Sequence, residues 1–258
     1  MSAVHYAERG AGSLLLCLHG IGSSSASFAP QLDELSDAHR VVAWDAPGYG
    51  NSPDPGEPPG MPGYAEVAAE LIKELGEPVH LLGVSWGGVI AIQVALSYPE
   101  LTRSLLLVGA SRGSGRSPEA AERMSEQADL LAELGPEQFA QQRAPALLSA
   151  NAERALVERV AETMATAVRL PGYRYAIDAM AATDHSARLD EVTVPTLVLC
   201  GAEDTVTGAP EAQALAEGIR DAVSVSIAGA GHLANQEQPE SVNAWIAAYL
   251  QIIERLYT

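Results

Sequence analysis

The sequence predicts an α/β fold, a mostly parallel central sheet flanked by helices and interrupted by an all-helical insertion. Three observations carry this expectation. Short apolar runs alternate with longer helix-like segments over roughly the first 110 residues. The alternation then stops, and between about 111 and 189 only helix-like patterns appear, punctuated by Pro118, Gly135-Pro136, Pro145 and Pro171-Gly172. The strand series resumes at Pro195-Thr-Leu-Val-Leu-Cys. At 258 residues the chain builds one sizeable core with room for an insertion. Residues 1–110 and 190–258 are therefore expected to form the sheet-bearing core, and 111–189 a helical cap. Such an insertion belongs over the carboxyl ends of the strands, where the ligand crevice of these sheets lies.

Taken in order, the expected strands are Leu14–Leu18, Arg40–Trp44, Val79–Val84, Ser104–Val108, Thr196–Cys200 and Val223–Ile227. Each is a short apolar run bounded by turn or helix signals. The expected core helices are Ala26–Leu35, Tyr64–Leu75, Trp86–Tyr98, Pro210–Ile219 and Pro239–Leu256. Leu75-Gly76-Glu77-Pro78 and Tyr98-Pro99 end two of them, since glycine accepts the left-handed cap and proline cannot continue a helix. The Gly/Pro-rich stretch 48–63, GYGNSPDPGEPPGMPG, reads as a long surface loop.

Composition narrows the function classes. The net charge is −18, from 15 basic and 33 acidic residues, which disfavours nucleic acid and anionic membranes as partners. No apolar run approaches the length of a membrane span. The first residues, MSAVHYAERG, lack a basic region followed by an apolar stretch, so no signal peptide is expected and the protein is assigned to the cytoplasm. Cys17 and Cys200 each sit inside an apolar strand-like run, as expected of buried thiols in a reducing compartment, and neither has metal-ligand spacing.

Gly83-Val84-Ser85-Trp86-Gly87 carries the chemistry. It matches G-x-S-x-G, the sharp strand-to-helix turn that exposes a serine hydroxyl. Such a serine needs a base to take its proton and a group to orient that base. Of six histidines, His232 follows a strand and the loop Gly229-Ala-Gly231, which places it at the same edge of the sheet. His80 lies at the far end of its strand, His39 reads as a surface residue, and His185 is expected to face solvent. For the orienting acid, Glu203 and Asp204 both follow the strand Thr196–Cys200, in the chain order Ser, acid, His expected of this turn.

The developing oxyanion needs two backbone N–H donors. Trp86, first residue of a helix, offers one in the field of the helix dipole. The loop His19-Gly20-Ile21-Gly22 after the first strand offers the other, with Ile21 as the preferred donor and Gly22 second. His19 is expected to brace that loop.

The segments H-G-I-G (19–22), W-D-A-P-G-Y-G-N-S (44–52), G-V-S-W-G-G (83–88), G-A-E-D (201–204) and G-A-G-H (229–232) together resemble the α/β-hydrolase fold family over nearly the whole chain. The resemblance implies Asp204 rather than Glu203 as the acid, and a structural role for Asp45. Around Asp204 and His232 the chain looks most similar to 3-oxoadipate enol-lactonases and their relatives, while G-V-S-W-G-G is similar to medium-chain polyhydroxyalkanoate depolymerases.

The implied activity is that of a serine hydrolase opening a small-molecule ester or lactone through Ser85, His232 and Asp204, with Ile21 and Trp86 as oxyanion donors and no metal or organic cofactor. A serine nucleophile argues against the dehalogenases and epoxide hydrolases of this fold, which use aspartate. Leu233 after the histidine weakens the carbon–carbon hydrolase alternative. Cofactor-free haloperoxidases share the same triad, and a non-catalytic binding module is the remaining class. Within the insertion, Met124, Leu130, Leu131, Leu134, Phe139, Leu147, Leu148, Met164, Tyr173, Tyr175 and Met180 supply apolar packing. Between Arg112 and Asp190 nine arginines face twelve acids, and most are expected to pair with neighbouring carboxylates, as Arg154 with Glu158.

Overall fold

The structure is a computed structural model and describes residues 4–76 and 78–256. Seven strands form one sheet: β1 (Tyr6–Arg9), β2 (Ser13–Leu18), β3 (His39–Trp44), β4 (Val79–Val84), β5 (Thr102–Val108), β6 (Thr196–Gly201) and β7 (Val223–Ile227). The spatial order is β1-β3-β2-β4-β5-β6-β7, with β1 antiparallel to β3 and every other pairing parallel. All six expected strands form within two residues of their expected ends. The edge strand β1 was not anticipated. Its residues are polar and largely exposed, so it carries no apolar run, and pairing with β3 alone makes it a strand.

The central strands are buried on both faces, as their uninterrupted apolar runs demand. Helices flank the sheet: α1 (Ala29–Glu34), α2 (Gly60–Leu75) and α3 (Trp86–Ser97), while after β5 the helices α4 (Pro118–Arg143), α5 (Arg154–Ala167) and α6 (Gly172–Ala182) pack on one another and on α2. The core resumes with α7 (Gly208–Gly218), the one-turn α8 (Ala234–Glu237) and α9 (Pro239–Leu256). Among the described residues no strand occurs between β5 and β6. Gly135, at φ 72° and followed by Pro136, breaks α4 where the sequence is punctuated.

The stretch 48–63 is a surface loop over 51–59, where every residue but Ser52 is exposed or partly so, and it departs from that reading only at its ends. Helix α2 begins at Gly60, and Tyr49 is fully buried, packed at 5.6 Å from the Trp86 ring. His39 and His185 are likewise buried rather than exposed. His39 reaches the Ser13 hydroxyl at 2.8 Å, and His185 Nε2 lies 3.3 Å from the Val89 carbonyl. Cys17 and Cys200 are free and buried. Among the described residues, no helix is long and apolar enough to cross a membrane.

Candidate active site

Four loops leave the carboxyl edge of the sheet and converge. Their origins are the ends of β2, β4, β6 and β7, which the parallel register holds side by side, with Leu18 opposite Gly83, Val84 opposite Val108 and Gly201 opposite Ile227.

Ser85 sits at the turn between β4 and α3 with φ 54° and ψ −118°, a conformation that strains a residue bearing a Cβ by about 1–3 kcal/mol. The flanking glycines make the turn feasible. A Cβ on Gly83 would lie 2.4 Å from the Gly88 Cα, and one on Gly87 only 1.9 Å from the Leu18 carbonyl oxygen. The Ser85 amide donates to the Val108 carbonyl at 2.9 Å, which pins the turn to β5.

His232 Nε2 lies 2.9 Å from Ser85 Oγ, and its Nδ1 lies 3.0 Å from Asp204 Oδ2. The histidine is 3% exposed, so its geometry is set by protein and not by water. Glu203, the competing acid, is exposed. Burial works against the charge on Asp204, but the hydrogen bond and field of His232 outweigh it. With donors from Thr207 and the Val206 amide at 2.8 Å, they hold the carboxyl well below the usual carboxylate range. The arrangement can take a proton from the serine and steady the imidazolium that results.

The loop after β2 crosses directly over the serine, since a Cβ on Gly20 would come within 3.2 Å of the Ser85 Cβ. His19 braces it. Its ring lies 2.8 Å from the Gly20 carbonyl and accepts from the Ala46 amide at 3.0 Å, while burial pushes its pKa down to about 4 and keeps it neutral. Ile21 and Trp86 both line the cavity over Ser85. Among the described residues their amides donate to no protein acceptor. Asp45 is consumed by the loops around it, accepting from the Ser25 amide at 2.7 Å and the Asn51 amide at 2.9 Å and facing the His5 ring at 2.8 Å.

Two residues that the sequence reading passed over belong to this site. Thr207 places its hydroxyl 2.7 Å from Asp204 Oδ2 and 3.1 Å from the Gly109 carbonyl. Glu237 accepts from the amides of Gly231 at 2.8 Å and Ser149 at 3.1 Å, and from the Ser149 hydroxyl. Both lie in the stretches 195–207 and 232–240 that resemble the enol-lactonases, but the sequence reading assigned neither a role.

The cavity above Ser85 measures about 80 Å³, room for several waters or a small organic group. Its floor is the Gly20–Gly22 loop and the relay, and its walls include Met124, Leu147, Met164, Tyr173 and Met180 from the segment between β5 and β6. The other apolar residues expected there, such as Leu131 and Phe139, pack inside that segment and against α6. Among the described residues no cluster of His, Cys, Asp or Glu is arranged to hold a metal ion.

Comparison with known proteins finds relatives over nearly the whole chain. The chain is 32% identical over 242 residues to the provisionally named carbamate hydrolase RutD of Variovorax paradoxus, covering 89% of each chain. It is 25% identical to 3-oxoadipate enol-lactonase 2 of Acinetobacter baylyi, covering 96% of this chain and 93% of that one. Among solved structures, a malate-bound thermophilic esterase from Thermogutta terrifontis superimposes with a TM-score of 0.85 at 28% identity, over 97% of this chain and 93% of the other. Residues 15–245 match the alpha/beta hydrolase family, and the chain belongs to that family.

Proposed function

We propose that the protein is a serine hydrolase that cleaves a small-molecule carboxylic ester or lactone. Ser85 attacks the carbonyl carbon while His232, oriented by Asp204, takes its proton. The Ile21 and Trp86 amides hold the tetrahedral oxyanion. Collapse returns the proton from His232 to the leaving alcohol and leaves an acyl-Ser85. Water, activated by the same histidine, then releases the acid. No step calls on a metal or an organic cofactor. The helices α4, α5 and α6 act as the cap that shapes the acyl pocket.

The observation that carries this reading is the continuous relay from Ser85 through His232 to Asp204, with contacts of 2.9 and 3.0 Å at the floor of a small, mostly apolar cavity. The carbamate hydrolase name of the relative favours a second reading on the same machinery, since a carbamate carbonyl presents the same electrophile to Ser85.

The test is a panel of short esters, simple lactones, an enol-lactone and a carbamate, assayed with wild type and Ser85→Ala, together with fluorophosphonate labelling. Loss of turnover and of label in Ser85→Ala is the expected result, and the preferred member chooses between ester, lactone and carbamate. A folded wild type that turns over nothing and takes no label at Ser85 would overturn the hydrolase reading in favour of a binding module.

A further inference from the structure

Among the described residues, the wall of the cavity over Ser85 bears one permanent charge. No described acidic residue lines it, and its lining is apolar or neutral apart from Arg143 and the relay histidine. Arg143 closes the last turn of α4 and is half-buried. Its field reaches Tyr173, where burial raises the phenol pKa and the guanidinium pulls against that rise.

The other arginines of the insertion are accounted for. Arg112 and Arg116 share Glu211, Arg154 pairs with Glu158, Arg169 with Asp54, Arg174 with Asp129 and Arg188 with Glu191. Arg123 and Arg159 are exposed to water. Among the described residues Arg143 alone of the nine is half-buried and has neither a carboxylate nor a hydrogen-bond partner. A guanidinium stays charged at any ordinary pH, and its planar fork of donors fits a carboxylate. In so acidic a protein, an arginine left without an acid is best explained by an anion that comes from outside.

A second observation lies on α4 before its break at Gly135. Gln127 also lines the cavity, and its Oε1 is sealed from solvent with no partner among the described residues. A buried carboxamide atom without a partner is costly, and a bound polar group relieves it.

We propose that the natural substrate carries a carboxylate in addition to its scissile acyl group. Arg143 binds that carboxylate and Gln127 takes a hydrogen bond from a polar group beside it. The carboxylate is a spectator in the chemistry: the acyl C–O bond breaks, water supplies the new oxygen, the alcohol leaves with a proton, and Arg143 only fixes where the acyl chain lies. The small cavity then favours a short spacer between the two carbonyl groups. This inference rests on the serine-hydrolase reading and deepens it.

The test compares monoethyl succinate with ethyl butyrate, a pair of similar length that differ in the charged end, by ethanol release. Wild type is expected to prefer monoethyl succinate in kcat/KM by at least about tenfold, the range of a charge-assisted hydrogen bond. Arg143→Ala should collapse that ratio toward one, chiefly through KM. Arg143→Lys should keep part of it, since a point charge remains but the fork is lost. No preference in wild type, or an equal loss on both esters in Arg143→Ala, would overturn the proposal. Fluorophosphonate labelling of wild type reads the hydrolase assignment separately. If neither ester turns over, calorimetric titration of succinate into Ser85→Ala decides the matter. Binding that disappears when Arg143→Ala is added supports the proposal, and absence of binding to Ser85→Ala overturns it.

Discussion

The Glu237 carboxylate accepts the backbone N–H of Gly231 at 2.8 Å, one residue before the histidine of the relay. The same carboxylate holds the Ser149 amide at 3.1 Å, and the Leu233 amide donates to the Leu147 carbonyl at 3.1 Å. The loop bearing His232 is thus fastened on both sides to a strap, residues 147–149, that belongs to the segment between β5 and β6. The packing is close, for a Cβ on Gly231 would stand 2.5 Å from the Leu148 carbonyl carbon. The position of His232 therefore depends on the segment between β5 and β6 as well as on the sheet.

Glu237→Ala leaves two amides and a hydroxyl without their acceptor, at about 1–3 kcal/mol for a buried group. The expected outcome is a kcat reduced by about 5- to 100-fold with a smaller change in KM, because the loop and not the pocket is loosened. Glu237→Gln retains one acceptor oxygen and should recover part of the loss. Steady-state kinetics on the preferred substrate check this, with the melting temperature measured alongside; a fall in melting temperature without a fall in kcat would make Glu237 purely structural.

Gly87→Ala tests the turn itself. Its Cβ would meet the Leu18 carbonyl at 1.9 Å, so α3 must lift off β2 and carry Ser85 with it. Overpacking of a tight core costs about 1–3 kcal/mol, occasionally more, and backbone contacts yield less readily than side chains. A lowered urea midpoint with activity lost is the expected result, whereas a variant of wild-type midpoint and full activity would show that the turn has slack.

Stability should fall as pH drops from about 6.5 to 4. Burial lowers the pKa of His19 and of His80 to about 4, while in the unfolded chain both titrate near 6.5. Between those values the unfolded state holds protons that the folded state refuses, so each histidine removes up to about 1.4 kcal/mol per pH unit. Around His80, Glu254 opposes the shift and Arg103 and His39 reinforce it. Asp204 is depressed, so its contribution is present above about 3.8 and lost only below that. Melting temperatures across this range check the sign, and His80→Gln should flatten the slope; a melting temperature that is level between pH 6.5 and 4 would contradict it.

Parts of the site were legible from residues alone because local stereochemistry forces them. Gly83 and Gly87 leave room for a sharp strand-to-helix turn, and G-V-S-W-G pointed to Ser85 only together with the segments 19–22, 201–204 and 229–232 in the right order. His232 was legible for a related reason: a histidine after a strand and a glycine loop is delivered to the strand-end edge. Asp204 and Glu203 are adjacent, and no local signal separates them. In the structure Asp204 turns inward to the His232 ring and Glu203 outward to solvent.

What the sequence determined by itself is the succession of buried strands and the residue types at their carboxyl ends, since apolar runs and glycine turns act over a few residues. What only the tertiary structure decided depends on distant partners. The edge strand β1 exists because β3 pairs with it, and His39 and His185 are buried because other segments cover them. Glu237 ties the His232 loop to Ser149 through contacts that no spacing encodes. Arg143 is set apart from the other arginines of its segment in the same way: charge pattern can show that a guanidinium has acids nearby in the chain, but only folding decides whether one of them reaches it.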